Sequence, residues 1–183
     1  MNTPNLLETI DNFVFDEISI GQTARTVRTL TLDDIQAFAA VSGDTNPAHL
    51  DPEYANATLF HGIIAHGMWG GALISALLGT VFPGPGTIYL HQALHFCRPV
   101  RVGDTLSVTV TVTAKDDQKK RVELDCQVVN QKGDTVLHGL AQVLAPTRKV
   151  SVPRTQLAKI TLVDPQARRR APLALGADLP ADR

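Results

Sequence analysis

The chain has 183 residues, 44% of them hydrophobic, and a net charge of −1. This length and composition predict one globular domain that is large enough to bury a core. A near-neutral chain, with a pI near 6.6, lacks the basic surface that nucleic-acid binding or a polybasic membrane contact requires. Cys97 and Cys126 have no CxxC spacing and the N-terminus has no export signal, so we expect a cytoplasmic protein with reduced thiols.

The first part of the chain indicates an edge strand followed by short helices. Residues 1–15 are typical of a loose N-terminal lead-in, and residues 23–31 alternate as an edge strand does. Thr31 is the expected N-cap of a helix that stops at Gly43. Asp51 is the expected cap of a second short helix, which starts at Pro52.

The middle of the chain is free of charge. No Asp, Glu, Lys or Arg occurs between Tyr54 and Cys97. The most apolar part, residues 68–82, is shorter than the roughly 20 residues that a membrane span needs. We therefore predict a helix that is buried on nearly all sides of a soluble fold.

The second half of the chain predicts an antiparallel sheet. Four strand-like runs follow the PGPG turn, at residues 87–100, 105–115, 119–130 and 135–146. The short links that join the last three of these runs favour an antiparallel meander. A sheet with one apolar face covers an apolar helix most simply by wrapping around it, so the predicted fold class is a two-layer α+β domain over residues 16–150. Residues 151–183 are predicted to form a C-terminal tail or linker that is largely disordered.

The stretch SGDTNPAHLDP, residues 42–52, carries an acid at Asp44 and an imidazole at His49. Asp44 and Asn46 are common in Asx turns, so an ordinary surface turn is one interpretation. The stretch leads into the uncharged segment, however, where Gly67 lies near the predicted helix start and its N–H can approach a ligand oxygen closely. An acid, an imidazole and such an amide can together add water across a double bond conjugated to a carbonyl.

Three motifs occur here in a fixed order: D-x-N-P-x-H at 44–49, H-G-M at 66–68 and P-V-x-V-G-D at 99–104. Over roughly residues 16–146 the chain resembles the MaoC-like R-specific enoyl-CoA hydratases. The resemblance implies a hotdog fold, in which a curved antiparallel β-sheet wraps a long central helix. It implies a hydro-lyase of fatty acid metabolism that converts trans-2-enoyl-CoA to (R)-3-hydroxyacyl-CoA, as a homodimer or an assembly of dimers, with no cofactor or metal.

The resemblance also assigns site residues by position. Asp44 and His49 become the pair that binds and activates water for syn addition, without deciding which of them is the base. The amide of Gly67 becomes the donor to the thioester carbonyl, Asn46 braces the loop, and Ser75 falls where the family has a serine near the catalytic pair. Trp69 is either a core residue or part of the acyl pocket.

Other functions stay open at this level. A hotdog acyl-CoA thioesterase usually has a carboxylate on its central helix, and residues 68–82 contain none. A non-catalytic acyl-CoA-binding or dimerisation module would need neither Asp44 nor His49. His91 and His95 share a strand face, but no Cys or carboxylate joins them at ligand spacing, so no metal site is expected. The chain further resembles the hydratase portion of bifunctional proteins, which would place a phosphate acetyltransferase domain after it in the native gene.

Overall fold

A five-stranded antiparallel sheet wraps around one helix in the computed structural model, which describes residues 9–155. The sheet contains β2 (Thr23–Thr29), β3 (Ile88–Phe96), β4 (Thr105–Asp116), β5 (Arg121–Val129) and β6 (Thr135–Leu144). Their order across the sheet is β2-β4-β5-β6-β3. Strand β2 therefore lies at one edge, as its sequence predicts, and β3 lies at the other. The predicted α+β class, with an antiparallel meander around a helix, is confirmed.

The inner face of the sheet is the apolar face that strict alternation predicts. Its fully buried side chains come from alternate positions of β4, β5 and β6, namely Leu106, Val108, Val110, Val112, Val122, Leu124, Cys126, Val128, Ala141 and Val143. Each buried Val or Leu contributes about 1.5–3 kcal/mol relative to exposure. Because side chains alternate between the two faces, a register slip by one residue would expose this whole set.

The central helix α4 (Gly67–Thr80) packs on that face through Trp69, Ile74, Leu77 and Leu78. No helix within the described residues is long and apolar enough to span a membrane. The prediction that this helix is buried on nearly all sides is wrong for the single chain. Met68, Ala72, Ser75, Ala76 and Gly79 are exposed and form one stripe along α4.

Three short helices fill the connection between β2 and α4. They are α1 (Leu32–Ser42), α2 (Pro47–Leu50) and α3 (Pro52–Ala57). As predicted, Thr31 caps α1 and accepts a hydrogen bond from the Asp34 amide, and Gly43 ends it with a φ of 76°. Asp51 caps α3, as predicted, whereas α2 was not foreseen.

A two-stranded ribbon joins the two ends of the described chain. Strands β1 (Thr9–Asp11) and β7 (Ser151–Pro153) pair antiparallel, with Ile10 opposite Val152. This ribbon connects part of the predicted lead-in with the start of the predicted tail. The rest of the predicted C-terminal tail, from residue 156, lies outside the described residues.

Candidate active site

Local hydrogen bonds set the shape of the loop that carries Asp44. The Asp44 carboxylate accepts a hydrogen bond from the backbone N–H of Asn46 at 3.1 Å, and the Asp44 amide donates to Ser42 Oγ at 3.2 Å. The first of these is the Asx turn that the sequence suggests. Asp44 is exposed, so its carboxylate stays accessible to a water molecule.

Helix α2 gives His49 its position. Asn46 caps this single turn by accepting a hydrogen bond from the Ala48 amide at 3.0 Å, and Pro47 occupies the first helical position. His49 Nδ1 lies 2.9 Å from the carbonyl oxygen of Ile64. A carbonyl can only accept, so Nδ1 carries the proton and a neutral His49 presents an unprotonated Nε2. That tautomer suits a general base.

His66 links the loop to the central helix, a role that the sequence did not indicate. It is only 3% exposed, and its Nε2 donates to the backbone carbonyl of Asp44 at 3.0 Å. Its ring centroid lies 3.9 Å from that of His49. The side-chain ligand atoms of Asp44, His49 and His66 all lie within 4.8 Å of one another. The acid and imidazole of the loop are therefore brought together, with His66 beneath them.

Gly67 is the first residue of α4, as predicted, and it lines the cavity beside this group. Its N–H has no acceptor within the helix, and the helix dipole adds partial positive charge at this end. A Cβ atom at this position would lie 3.1 Å from the ring of Phe96. Glycine therefore leaves room for an oxygen atom close to the amide.

The cavity has a volume of about 340 Å³ and is mostly apolar. This volume falls within the usual range of small-molecule sites, roughly 300–1,000 Å³. Helix α4, the segment after β3 and the inner face of the sheet form its wall, which includes His49, Ile64, His66, Gly67, Trp69, Gly70, Phe96, Cys97, Arg98, Val100, Leu106, Val128 and Leu137. An acyl chain could enter here with its reactive end at the imidazole.

The other predicted site residues differ in how close they come to this cavity. Trp69 is buried and belongs to both the core and the cavity wall. Asn46 supports α2 from outside the cavity, which fits a bracing residue. Ser75 lies on the exposed stripe of α4 and does not line the cavity in the single chain. The structure therefore places His49 and Gly67 on the cavity wall and Asp44 beside His49, but it leaves Ser75 apart from them.

One cation borders the cavity. Arg98 is exposed, and its guanidinium lies 3.7 Å from the carboxylate of Asp134. Arg101, three residues further along the chain, instead donates to the carbonyl of Phe60. Arg98 is therefore the better placed of the two to meet a phosphate group at the cavity.

The fold and the site together define a hotdog-fold protein with an acid–imidazole pair beside an acyl-sized apolar cavity. The family model described as MaoC-like domain matches residues 16–141. The chain belongs to this family.

Several relatives with known names are similar over most of their length. The chain is 47% identical to an (R)-specific enoyl-CoA hydratase of Rhodospirillum rubrum over 136 residues, 73% of this chain and 92% of the relative. It is 42% identical to the enzyme of the same name from Aeromonas caviae over 129 residues, 70% of this chain and 96% of the relative. The unliganded R-hydratase PhaJ1 from Pseudomonas aeruginosa matches with a TM-score of 0.82 and 47% identity, covering 85% of this chain and 99% of that structure.

Proposed function

We infer that the protein is an R-specific enoyl-CoA hydratase, a hydro-lyase that adds water to trans-2-enoyl-CoA to give (R)-3-hydroxyacyl-CoA. The observation that carries this inference is that His49 and Gly67, the first residue of α4, line one apolar cavity, while the Asp44 carboxylate lies within 4.8 Å of a ring nitrogen of His49. The named relatives at 42–47% identity support the same reaction.

We propose that His49 acts as the base. Its Nε2 takes a proton from a water molecule that Asp44 also holds by hydrogen bonding. The water oxygen forms a bond to C3, the C2–C3 double bond opens, and negative charge moves to the thioester oxygen. The Gly67 amide stabilises that oxygen. The proton that His49 took is then delivered to C2 on the same face, so the addition is syn and the atoms of one water enter the product.

The residues fit a reaction without a cofactor. The substrate's own thioester supplies the electron sink, and the chain supplies the acid, base and oxyanion donor. We further propose a cytoplasmic location, which the two free cysteines support. That a phosphate acetyltransferase domain follows in the native gene stays a prediction, which sequencing of the gene beyond codon 183 would test.

We also propose that the chain forms a homodimer. Strand β3 is an edge of the sheet, and Ile88 and Leu90 on it are 54% and 43% exposed. The exposed stripe of α4 contains small or apolar residues without any charge. Unpaired edges and contiguous apolar surfaces are features that folded proteins normally cover. A second copy of the chain would cover both.

The hydratase proposal is tested by following loss of enoyl absorbance with crotonyl-CoA. Asp44→Ala and His49→Ala should each reduce kcat by about 100-fold or more, the scale of a general acid–base group. The matched controls are Asp33→Asn and His91→Asn, which change an exposed acid and an exposed imidazole outside the cavity. Chiral analysis of the product should give the R isomer.

Two outcomes would replace this function with another. Release of free thiol from acyl-CoA without hydration would assign a thioesterase. Binding of acyl-CoA with neither reaction would assign a non-catalytic module.

A further inference from the structure

A second group of potential ligands lies where β3 and β6 meet. His95 and His138 are directly opposite each other in the register of these strands, and their ring centroids are 5.0 Å apart. Cys97 follows His95 by two residues, and its amide donates to Val136 O at 2.9 Å, so the pairing continues past the end of β3. One ring nitrogen of each histidine and the thiol sulfur lie within 4.8 Å of one another.

The sequence-based argument about metals did not consider this cluster. That argument paired His91 with His95 and found no cysteine at ligand spacing. The structure pairs His95 with His138 across the strands and brings Cys97 to both. Sequence separation hid this grouping, because His138 lies on another strand and only the register places it opposite His95.

We propose that His95, Cys97 and His138 form a binding site for Zn²⁺. Imidazole nitrogen and thiolate sulfur are the ligands that this ion prefers, and a tetrahedral ion holds such atoms about 3.4–3.6 Å apart, given bond lengths of about 2.0–2.3 Å. Small side-chain rotations would bring the three atoms to that spacing. Three protein ligands leave the fourth position to water.

The surroundings tolerate a cation. All three side chains are exposed in the single chain, so the ion does not need to enter the core, and Cys97 also borders the apolar cavity. Arg98, the neighbouring positive charge in sequence, faces the carboxylate of Asp134. Gln127 is the register partner of His138 on β5 and is exposed beside it, so its amide oxygen is available to accept a hydrogen bond from a ligated imidazole. No step of the proposed hydration uses this ion.

The test uses Co²⁺ as a spectroscopic probe on the reduced, full-length protein. One equivalent of Co²⁺ per chain should bind and give a thiolate-to-metal charge-transfer band. Added Zn²⁺ should displace the Co²⁺ and remove the band. Asp44, His49 and His66 also lie within ligand distance of one another, but they contain no sulfur and cannot give that band. Cys126 is fully buried, so the band reports on Cys97.

Cys97→Ser should abolish the band. His138→Asn should weaken Zn²⁺ binding by about 100-fold, because loss of a group that only supports a metal ligand already lowers metal affinity by about 10–100-fold. His91→Asn is the matched control, because His91 is exposed on the same strand and lies outside the cluster. Thermal unfolding of each variant checks the fold. Absence of a thiolate band in the wild type, or an unchanged band in both His138→Asn and His95→Asn, would overturn the proposal.

Discussion

At the scale of single residues, the buried imidazole of His66 is the feature that the sequence reveals least. Its Nε2 donates to the Asp44 carbonyl, while its Nδ1 is buried without a partner among the described residues. A buried imidazole that donates to the loop backbone and packs against the ring of His49 is expected to position the catalytic pair.

His66→Ala should therefore lower kcat for crotonyl-CoA by about 100-fold, because a displacement of about 1 Å in a catalytic group can have that effect. The KM should change little, since His66 positions the reacting groups rather than holding the CoA. Steady-state kinetics separates the two constants.

His66→Gln is the matched control for this prediction. The glutamine amide can replace the Nε2–H donor to Asp44, so kcat should recover most of the loss. Equal losses in both variants would mean that packing of the imidazole ring, rather than its hydrogen bond, is what matters.

Gly70 is expected to influence acyl chain length. It lines the cavity, and a Cβ atom there would lie 3.2 Å from Leu137 Cδ2, the end of a flexible side chain. Gly70→Ala should therefore fold but shorten the cavity. The kcat/KM for octenoyl-CoA divided by that for crotonyl-CoA should fall by about 10-fold. This is the lower end of the discrimination that one methylene causes in an apolar pocket.

Gly71→Ala provides the matched control for chain length. Its Cβ atom would also meet flexible side-chain ends, those of Leu94 and Met68, but Gly71 does not line the cavity. The ratio of the two substrates should stay as in the wild type. A similar fall in both variants would contradict the assignment of Gly70 to the acyl pocket.

At the scale of elements, the capping box of α1 links stability to pH. Burial opposes ionisation of Asp34, but hydrogen bonds from the Thr31 amide and hydroxyl and from Arg28 outweigh it and lower the pKa of that carboxyl. Because the pKa of Asp34 is lower in the folded state, its ionised carboxylate stabilises the fold at any pH above the ordinary pKa of 3.8. This stabilisation is lost as the pH falls through the lowered pKa.

Asp34→Asn should thus reduce the free energy of unfolding by about 1 kcal/mol near neutral pH, the usual scale of a helix cap. The difference from the wild type should shrink at acid pH. Urea unfolding at several pH values measures both effects. The control is Asp33→Asn in the same first turn, which lies outside the capping box; a pH-independent difference at Asp34 would exclude the ionic explanation.

The elements that sequence predicts well are those with a local cause. Thr31 and Gly43 delimit α1 through backbone requirements of their own, and the alternation of β4 sets its buried face. The contacts of His66 with Asp44 and of His95 with His138 depend on how distant segments meet, and a single sequence contains no periodic signal for them. Helix α2 was missed because one turn is too short to show a helical repeat.

At the scale of the whole molecule, the exposed stripe of α4 also escaped sequence reasoning. A hydrophobic helix without charges suggests burial on all sides, yet the sheet of one chain covers only part of α4. Small exposed residues such as Ala72, Ala76 and Gly79 allow close approach of a second surface, and the edge strand β3 provides unpaired backbone groups. The proposed homodimer, in which one chain supplies half of a larger core, would account for both features.

Ala76→Glu tests the proposed dimer. Sedimentation should give the wild type twice the 19.7 kDa mass of one chain. The variant would bury an unpaired carboxylate at the interface, which costs several kcal/mol, so its dimer dissociation constant should rise by about 100-fold or more. Because Ala76 is exposed in the single chain, circular dichroism should show an intact fold.

Val41→Glu is the matched control, since Val41 is 82% exposed and belongs to α1 rather than to the stripe on α4. It introduces the same charge and should leave the dimer intact. A monomeric wild type at micromolar concentration would refute the dimer itself. If Ala76→Glu does not weaken the dimer, the interface does not include α4. The β3 edge would then be the surface that joins the two copies, and Leu90→Glu would test it.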